Sequence, residues 1–117
     1  MAMTFTCDEQ GGILGIRLAG RLTLGPQLLD FGRKAAETIG RRPAKGVILD
    51  VAGIEEIDSA GLGELVILYT TASQHGCRLC LVQPTPKILQ LLETTKLSGI
   101  LPCYPDQAAA MAWLSAR

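Results

Sequence analysis

The sequence has no excess of charge of either sign. Lys and Arg number 11, Asp and Glu number 11, and the formal net charge is +0. A nucleic-acid-binding domain shows a basic excess gathered on one face, so that class is set aside. Long hydrophobic runs are also missing. Stretches such as Leu65 to Tyr69 fall far short of the roughly 18–20 apolar residues of a membrane-spanning helix, and no membrane insertion is expected. The N-terminus, Met1-Ala2-Met3-Thr4-Phe5, has neither the basic segment nor the apolar segment of a secretory signal. The expected location is therefore cytoplasmic. Histidine is reduced to His75 alone. A zinc site takes three or four protein ligands, so neither a metal centre nor any other cofactor is expected. Repeats, low-complexity tracts and linkers are absent too, and residues 1–117 are expected to form a single domain.

What is present is an apolar chain of 117 residues with 48% hydrophobic and 19% charged residues. That is too apolar and too weakly charged for disorder. A domain of this length buries roughly two-thirds of the surface its unfolded chain exposes, enough for a core without staples. The cysteines, Cys7, Cys77, Cys80 and Cys103, are scattered, and in a reducing compartment they stay thiols. Cys77-Arg78-Leu79-Cys80 has the C-x-x-C form. A redox pair of that form wants its first thiol at a helix N-terminus. Here the surrounding Cys77-Arg-Leu-Cys-Leu-Val82 reads as a strand, in which residues three apart point to opposite faces.

Thr4 to Cys7 is short and β-leaning, and Gln10-Gly11-Gly12 is a turn signal before Ile13 to Leu18, so a hairpin is expected. Gly20 to Gly25 reads as a loop. Pro26 suits the first position of a helix whose inner face would carry Leu28, Leu29, Gly32, Ala35, Ala36 and Ile39, with Gly40 as its stop. The basic loop Arg41 to Gly46 leads to Val47-Ile-Leu-Asp-Val51, a buried strand by its β-branched run. Leu62, Leu65, Val66, Tyr69 and Ala72 have helical spacing, ending near His75 and Gly76. Arg78 to Val82 is a further strand. Thr85-Pro86 starts a helix carrying Ile88, Leu89, Leu91 and Leu92. Leu97 to Leu101 turns into a final short strand near Ile100 to Tyr104, and Asp106 caps a last helix over residues 107–116. The order β-β-α-β-α-β-α-β-α implies an α/β fold, a mixed and largely parallel β-sheet with helices packed on it. Function in such sheets usually sits beyond the strand C-termini.

One segment carries a sharper signal, Gly46 to Leu65. The buried strand is expected to run into a loop that ends at Asp58-Ser59, and the next helix opens with Gly61 and Gly63. Each glycine costs a helix about 1 kcal/mol against alanine. Two of them so close imply backbone that must stay accessible or pack tightly. With Asp58 as N-cap, Ser59 lies in the first turn beside unsatisfied backbone N–H groups. A phosphate on Ser59 would meet the positive end of the helix dipole and bring about −1.5 to −2 of charge. Asp50, Glu55, Glu56, Asp58 and Glu64 all fall in a stretch, residues 46–77, without Lys or Arg. That reads either as a solvated acidic loop with a capping serine, or as an acidic docking surface with a hydroxyl switch at its centre.

These residues, Val-Ile-Leu-Asp-Val-x-Gly-Ile-x-x-Ile-Asp-Ser-x-Gly-Leu-Gly, resemble the signature of STAS domains, and the isolated form resembles bacterial anti-sigma-factor antagonists. The likeness runs from about Gly12 to Trp113 and includes Leu18-Ala-Gly-Arg-Leu22 and Leu97-Ser-Gly-Ile-Leu101. The resemblance implies a binding switch. The unphosphorylated antagonist captures an anti-sigma factor that is also a serine kinase and so frees a sigma factor. Phosphorylation of the motif serine breaks the complex, and a phosphatase restores it. Carried over, Ser59 is the phosphoacceptor and Asp58 the motif acid. Gly61 and Gly63 are the glycines that let the partner approach. Ala60 stands where a second serine is common, and Leu62 is either an exposed apolar anchor or a core residue. Arg21 and Thr23 belong to the partner-binding loop, where Thr23 replaces the usual Asp. The same resemblance admits a second role, an accessory subunit of a lipid-transport ATPase or of a stress-signalling scaffold complex.

Other classes fit less well. A phosphoacceptor receiver would need an acidic pair before a helix and a Lys after a late strand. Here Asp8-Glu9 precedes a hairpin and Lys87 falls inside a helix. Gly61-x-Gly63 is no Walker A loop and the local charge is acidic, so weak nucleotide binding, which the resemblance admits, is not the expected role. Ser59 has no base partner, because His75 lies near the far end of the same helix, about 24 Å along its axis. The chain is expected not to be an enzyme.

Overall fold

The computed structural model describes residues 3–41 and 44–116, so Arg42 and Pro43 of the basic loop lie outside the described residues. The chain runs β1 (Thr4–Gln10), β2 (Ile13–Leu22), α1 (Pro26–Arg41), β3 (Gly46–Ile57), α2 (Ser59–Gln74), β4 (Arg78–Val82), α3 (Pro86–Thr94), β5 (Cys103–Tyr104) and α4 (Gln107–Ser115). The sheet order is β1-β2-β3-β4-β5. β1 and β2 pair antiparallel, and β2 to β5 pair parallel. This is the mixed sheet the element order implies. Gly11 and Gly12, at φ 59° and 84°, make the tight turn of the opening hairpin.

The sheet is covered unequally. Leu14, Ile16, Leu18 and Leu22 of β2, Val47, Leu49 and Val51 of β3, and Leu79 and Leu81 of β4 pack with α1, α2 and α3 in one large core. The opposite face carries a small cluster in which Ile48, Cys80 and Val82 meet Ala110 of α4. Leu14, Leu49 and Leu81 are 0% exposed, and burying such a side chain contributes about 1.5–3 kcal/mol. The ion pairs along α1, Asp30 with Arg33 and Lys34 and Arg33 with Glu37, are solvent-exposed and screened by water and salt. Apolar burial, not surface charge, therefore fixes the helices on the sheet. Cys77 joins the large core and Cys80 the small one, so the C-x-x-C sulfurs lie on opposite faces of the sheet as strand geometry requires.

Several local expectations give way. β2 continues to Leu22 where a loop from Gly20 was expected, and β3 continues to Ile57. Residues Gly53 to Ile57 pair with Ala19 to Leu22 after one register shift, between Arg17 and Ala19, and across a second, between Gly20 and Arg21, where Gly20 has a positive φ of 100°. β4 flanks β3 only over Gly46–Asp50. The second half of β3 thus has a partner on one side alone and reads as polar sequence. Gly40 does not stop α1, which runs through it to Arg41. Phe31, not Leu29, joins the inner face of α1 beside Leu28 and Gly32, and Leu29 stays 64% exposed. The last strand shrinks to Cys103–Tyr104. The caps Thr85 and Asp106 hold, accepting from the N–H of Ile88 and Ala109.

Candidate functional site

The site forms where β2 and β3 end together. Leu22 pairs with Ile57, and the N–H of Asp58 donates to the Leu22 carbonyl at 3.3 Å. The chain then turns into α2 with Asp58 as its N-cap, in extended conformation. Asp58 Oδ1 accepts from the N–H of Gly61 at 2.8 Å. Its carbonyl accepts from Leu62 at 3.0 Å. Its second carboxylate oxygen, Oδ2, accepts from the N–H of Leu24 at 2.9 Å, 34 residues back along the chain. The Leu24 bond is the foremost cause holding this carboxyl below the ordinary carboxylate range, with the N–H bonds from Gly61 and Ala60 adding to it against the opposing effect of burial.

Ser59 is the first residue of α2 and is exposed. Its hydroxyl is open to a macromolecular partner. Two of the N–H groups that a phosphate there could have used, those of Gly61 and Leu62, are already bonded to Asp58. The dipole of the helix start remains available to an added anion.

The two glycines do different things. A Cβ on Gly61 would run into the Leu22 carbonyl oxygen, so this glycine lets α2 lie against the end of β2. It is buried and is not a surface for a partner. A Cβ on Gly63 would meet nothing within 4 Å. Of the two, only Gly63 keeps backbone open to approach. Leu62 is 1% exposed and belongs to the core, so it is not the exposed anchor. Ala60 is half-buried against the same core. The large apolar side chain that does stand out at this corner is Leu24, 75% exposed. Nothing in the sequence marks it, because a lone leucine between Thr23 and Gly25 has no periodicity.

Arg21 and Thr23 flank Leu22 at this same corner. Arg21 is exposed and its Nε lies 3.4 Å from Glu56 Oε2, while Thr23 is half-buried in the loop that Asp58 holds. The acidic surface read from the sequence is partly neutralised and dispersed. Asp50 pairs with Arg17 at 3.4 Å, and Glu56 pairs with Arg21. The carboxylate of Glu64 packs where a Cβ on Gly32 of α1 would go. Asp58 is spent on backbone N–H groups. His75 caps the far end of α2. Among the described residues no group of His, Cys, Asp and Glu could hold a metal ion.

With this geometry in hand, the comparisons are specific. The STAS domain family profile matches residues 5–110. The chain is 27% identical over 115 residues to an anti-sigma F factor antagonist of Paenibacillus polymyxa, spanning 97% of each. An anti-sigma factor antagonist from Mycobacterium paratuberculosis superposes with a TM-score of 0.83 at 16% identity, over 98% of this chain and 96% of that one. The Bacillus cell fate determinant SpoIIAA in its phosphorylated form gives 0.70 at 17% identity, over 94% and 99%. At those identities the structures establish the shared fold.

Proposed function

The chain belongs to the STAS domain family, and we propose that it is an anti-sigma factor antagonist, a protein-binding switch of the cytoplasm rather than an enzyme. Its unmodified form binds an anti-sigma factor that is also a serine kinase and releases the sigma factor that the kinase held. Phosphorylation of Ser59 ends the complex, and a phosphatase resets it. The observation that carries this reading is the placement of Ser59, an exposed hydroxyl at the first position of α2. Asp58 fixes that helix start on one side, and Leu24 stands beside it on the loop Asp58 holds. A new dianion there falls within the contact surface. It must be desolvated or repelled when the partner docks, which disfavours binding. Two relatives support the reading by what they are named for, the Paenibacillus polymyxa antagonist and the phosphorylated Bacillus protein of the same fold.

The test is capture from the native lysate with wild-type and Ser59→Asp protein as bait. A serine kinase of the anti-sigma type is expected on wild-type and lost on Ser59→Asp, while Ser59→Ala binds and is not released on adding ATP. Equal capture by wild-type and Ser59→Asp would overturn the switch. An ABC-type ATPase on both baits would move the function to a transporter subunit.

A further inference from the structure

Asp58 does more than cap a helix, and its geometry bears on how the Ser59 surface is built. The two oxygens of its carboxylate serve two different elements. Oδ1 takes the Gly61 N–H at 2.8 Å inside α2, and Oδ2 takes the Leu24 N–H at 2.9 Å in the loop between β2 and α1. The loop spans three residues. Its far end is tied to α1, where the Gly25 carbonyl accepts from the N–H of Leu28 at 3.1 Å. At its middle Leu24 is 75% exposed, and the bond from its N–H to Asp58 ties that middle to the helix that begins with Ser59. An ordinary N-cap needs only one acceptor oxygen, so the second bond is not required by the helix.

We propose that Asp58 is the positioning residue of the recognition surface, a two-sided clip whose carboxylate locks the Leu24 loop to the Ser59 helix so that a partner meets both as one rigid patch. The clip itself stands on the two bonds of Asp58. Its role in recognition rests on the function proposed above. Both bonds need a group with two acceptor oxygens in one plane, and among side chains of this length only aspartate provides that. Asparagine caps helices as well as aspartate does but has one acceptor oxygen and one NH2 group. Whichever way its amide turns, one of the two backbone N–H groups then faces another donor.

The test compares wild-type, Asp58→Asn and Asp58→Ala by amide hydrogen exchange, with the amide of Leu49 in β3, flanked by β2 and β4, as the reference for global opening. In Asp58→Asn, either Leu24 or Gly61 is expected to exchange at least about tenfold faster relative to Leu49, and in Asp58→Ala both are. Unchanged rates at Leu24 and Gly61 in Asp58→Asn would overturn the clip. So would acceleration only in step with Leu49, since that reports general destabilisation. The recognition role is read separately, with the kinase captured by wild-type bait. Asp58→Asn is expected to bind it about tenfold more weakly although Ser59 is intact, and wild-type affinity would overturn that role. If wild-type bait captures no kinase, the proposed function fails, while the exchange rates still decide the clip.

Discussion

Residues 58–63 show how alike a core position and a surface position look in one dimension. Gly61 and Gly63 occur in the same motif, yet only Gly61 is pressed against backbone, the Leu22 carbonyl. A carbonyl cannot rotate away as a side chain can. Gly61→Ala should therefore force α2 off the end of β2 and cost about 1–3 kcal/mol, the usual range for overpacking. Gly63→Ala has open space and should stabilise the helix by about 0.5–1 kcal/mol. Urea titration of the two variants checks this pair, and equal effects would show that the close approach at Gly61 is not what the glycine is for. The same contrast separates the leucines. Leu62, 1% exposed, should cost about 2–5 kcal/mol as alanine. Leu24→Ala should leave stability within about 0.5 kcal/mol. Spacing alone could not sort Leu62 from Leu24, because a motif that tolerates two glycines beside a leucine says that something is close without saying whether it is the protein's own backbone or a partner.

At the scale of elements, the parts that were legible are those with a local chemical cause. Asp58, Thr85 and Asp106 cap the helices assigned to them, because a capping side chain bonds to N–H groups three residues on and needs nothing distant. Arg78 to Val82 is a strand within those same limits, since it is buried on both faces and reads as one apolar run. The second half of β3 was illegible for the opposite reason. Ala52 to Ile57 owes its strand form to a bulged pairing with β2 alone, which no feature of Gly53, Glu55 or Glu56 announces. The attachment of α4 was hidden in the same way. Arg78, at the start of β4, donates to the carbonyls of Trp113 at 3.1 Å and Ala116 at 3.2 Å, and its guanidinium carbon lies 3.9 Å from the centre of the Trp113 ring. One side chain thus satisfies the last carbonyls of the helix and stacks on its aromatic residue. Arg78→Ala should lose about 1–2 kcal/mol. Arg78→Lys should recover only part of it: both bonds leave the one nitrogen Nη1, which an ammonium could imitate, but an ammonium has no plane to stack on the indole. Thermal unfolding of the two variants measures the difference, and full recovery by lysine would reduce the latch to a single point charge.

The whole molecule is a sheet with a deep core on one face and a shallow one on the other, and that asymmetry sets how it should open. Against the α1–α3 face stands a cluster built mostly of leucine, isoleucine and valine from β2, β3, β4 and the three helices. Against the α4 face stand Ile48, Cys80, Val82 and Ala110 with half-buried Ile13, Tyr104, Met111, Trp113 and Leu114 around them. Regions with fewer buried apolar contacts open at lower free energy than the global transition, so α4 should lift while the main core stays intact. Cys80 is placed to report it. The thiol is 0% exposed beneath α4, and burial pushes its pKa up to about 12. In the closed state it therefore has neither access to reagent nor thiolate to react. Exposed Cys7 should react at once with a thiol reagent at pH 8. Cys80 should react more slowly, yet faster than the protein unfolds globally. Its rate should depend on urea more weakly than global unfolding does, because lifting one helix exposes less surface. Arg78→Ala, which frees the end of α4, should raise the Cys80 rate more than it lowers the global unfolding midpoint would account for. Labelling of Cys80 at the global unfolding rate, with the same urea dependence, would mean that the two faces of the sheet hold together as one cooperative unit.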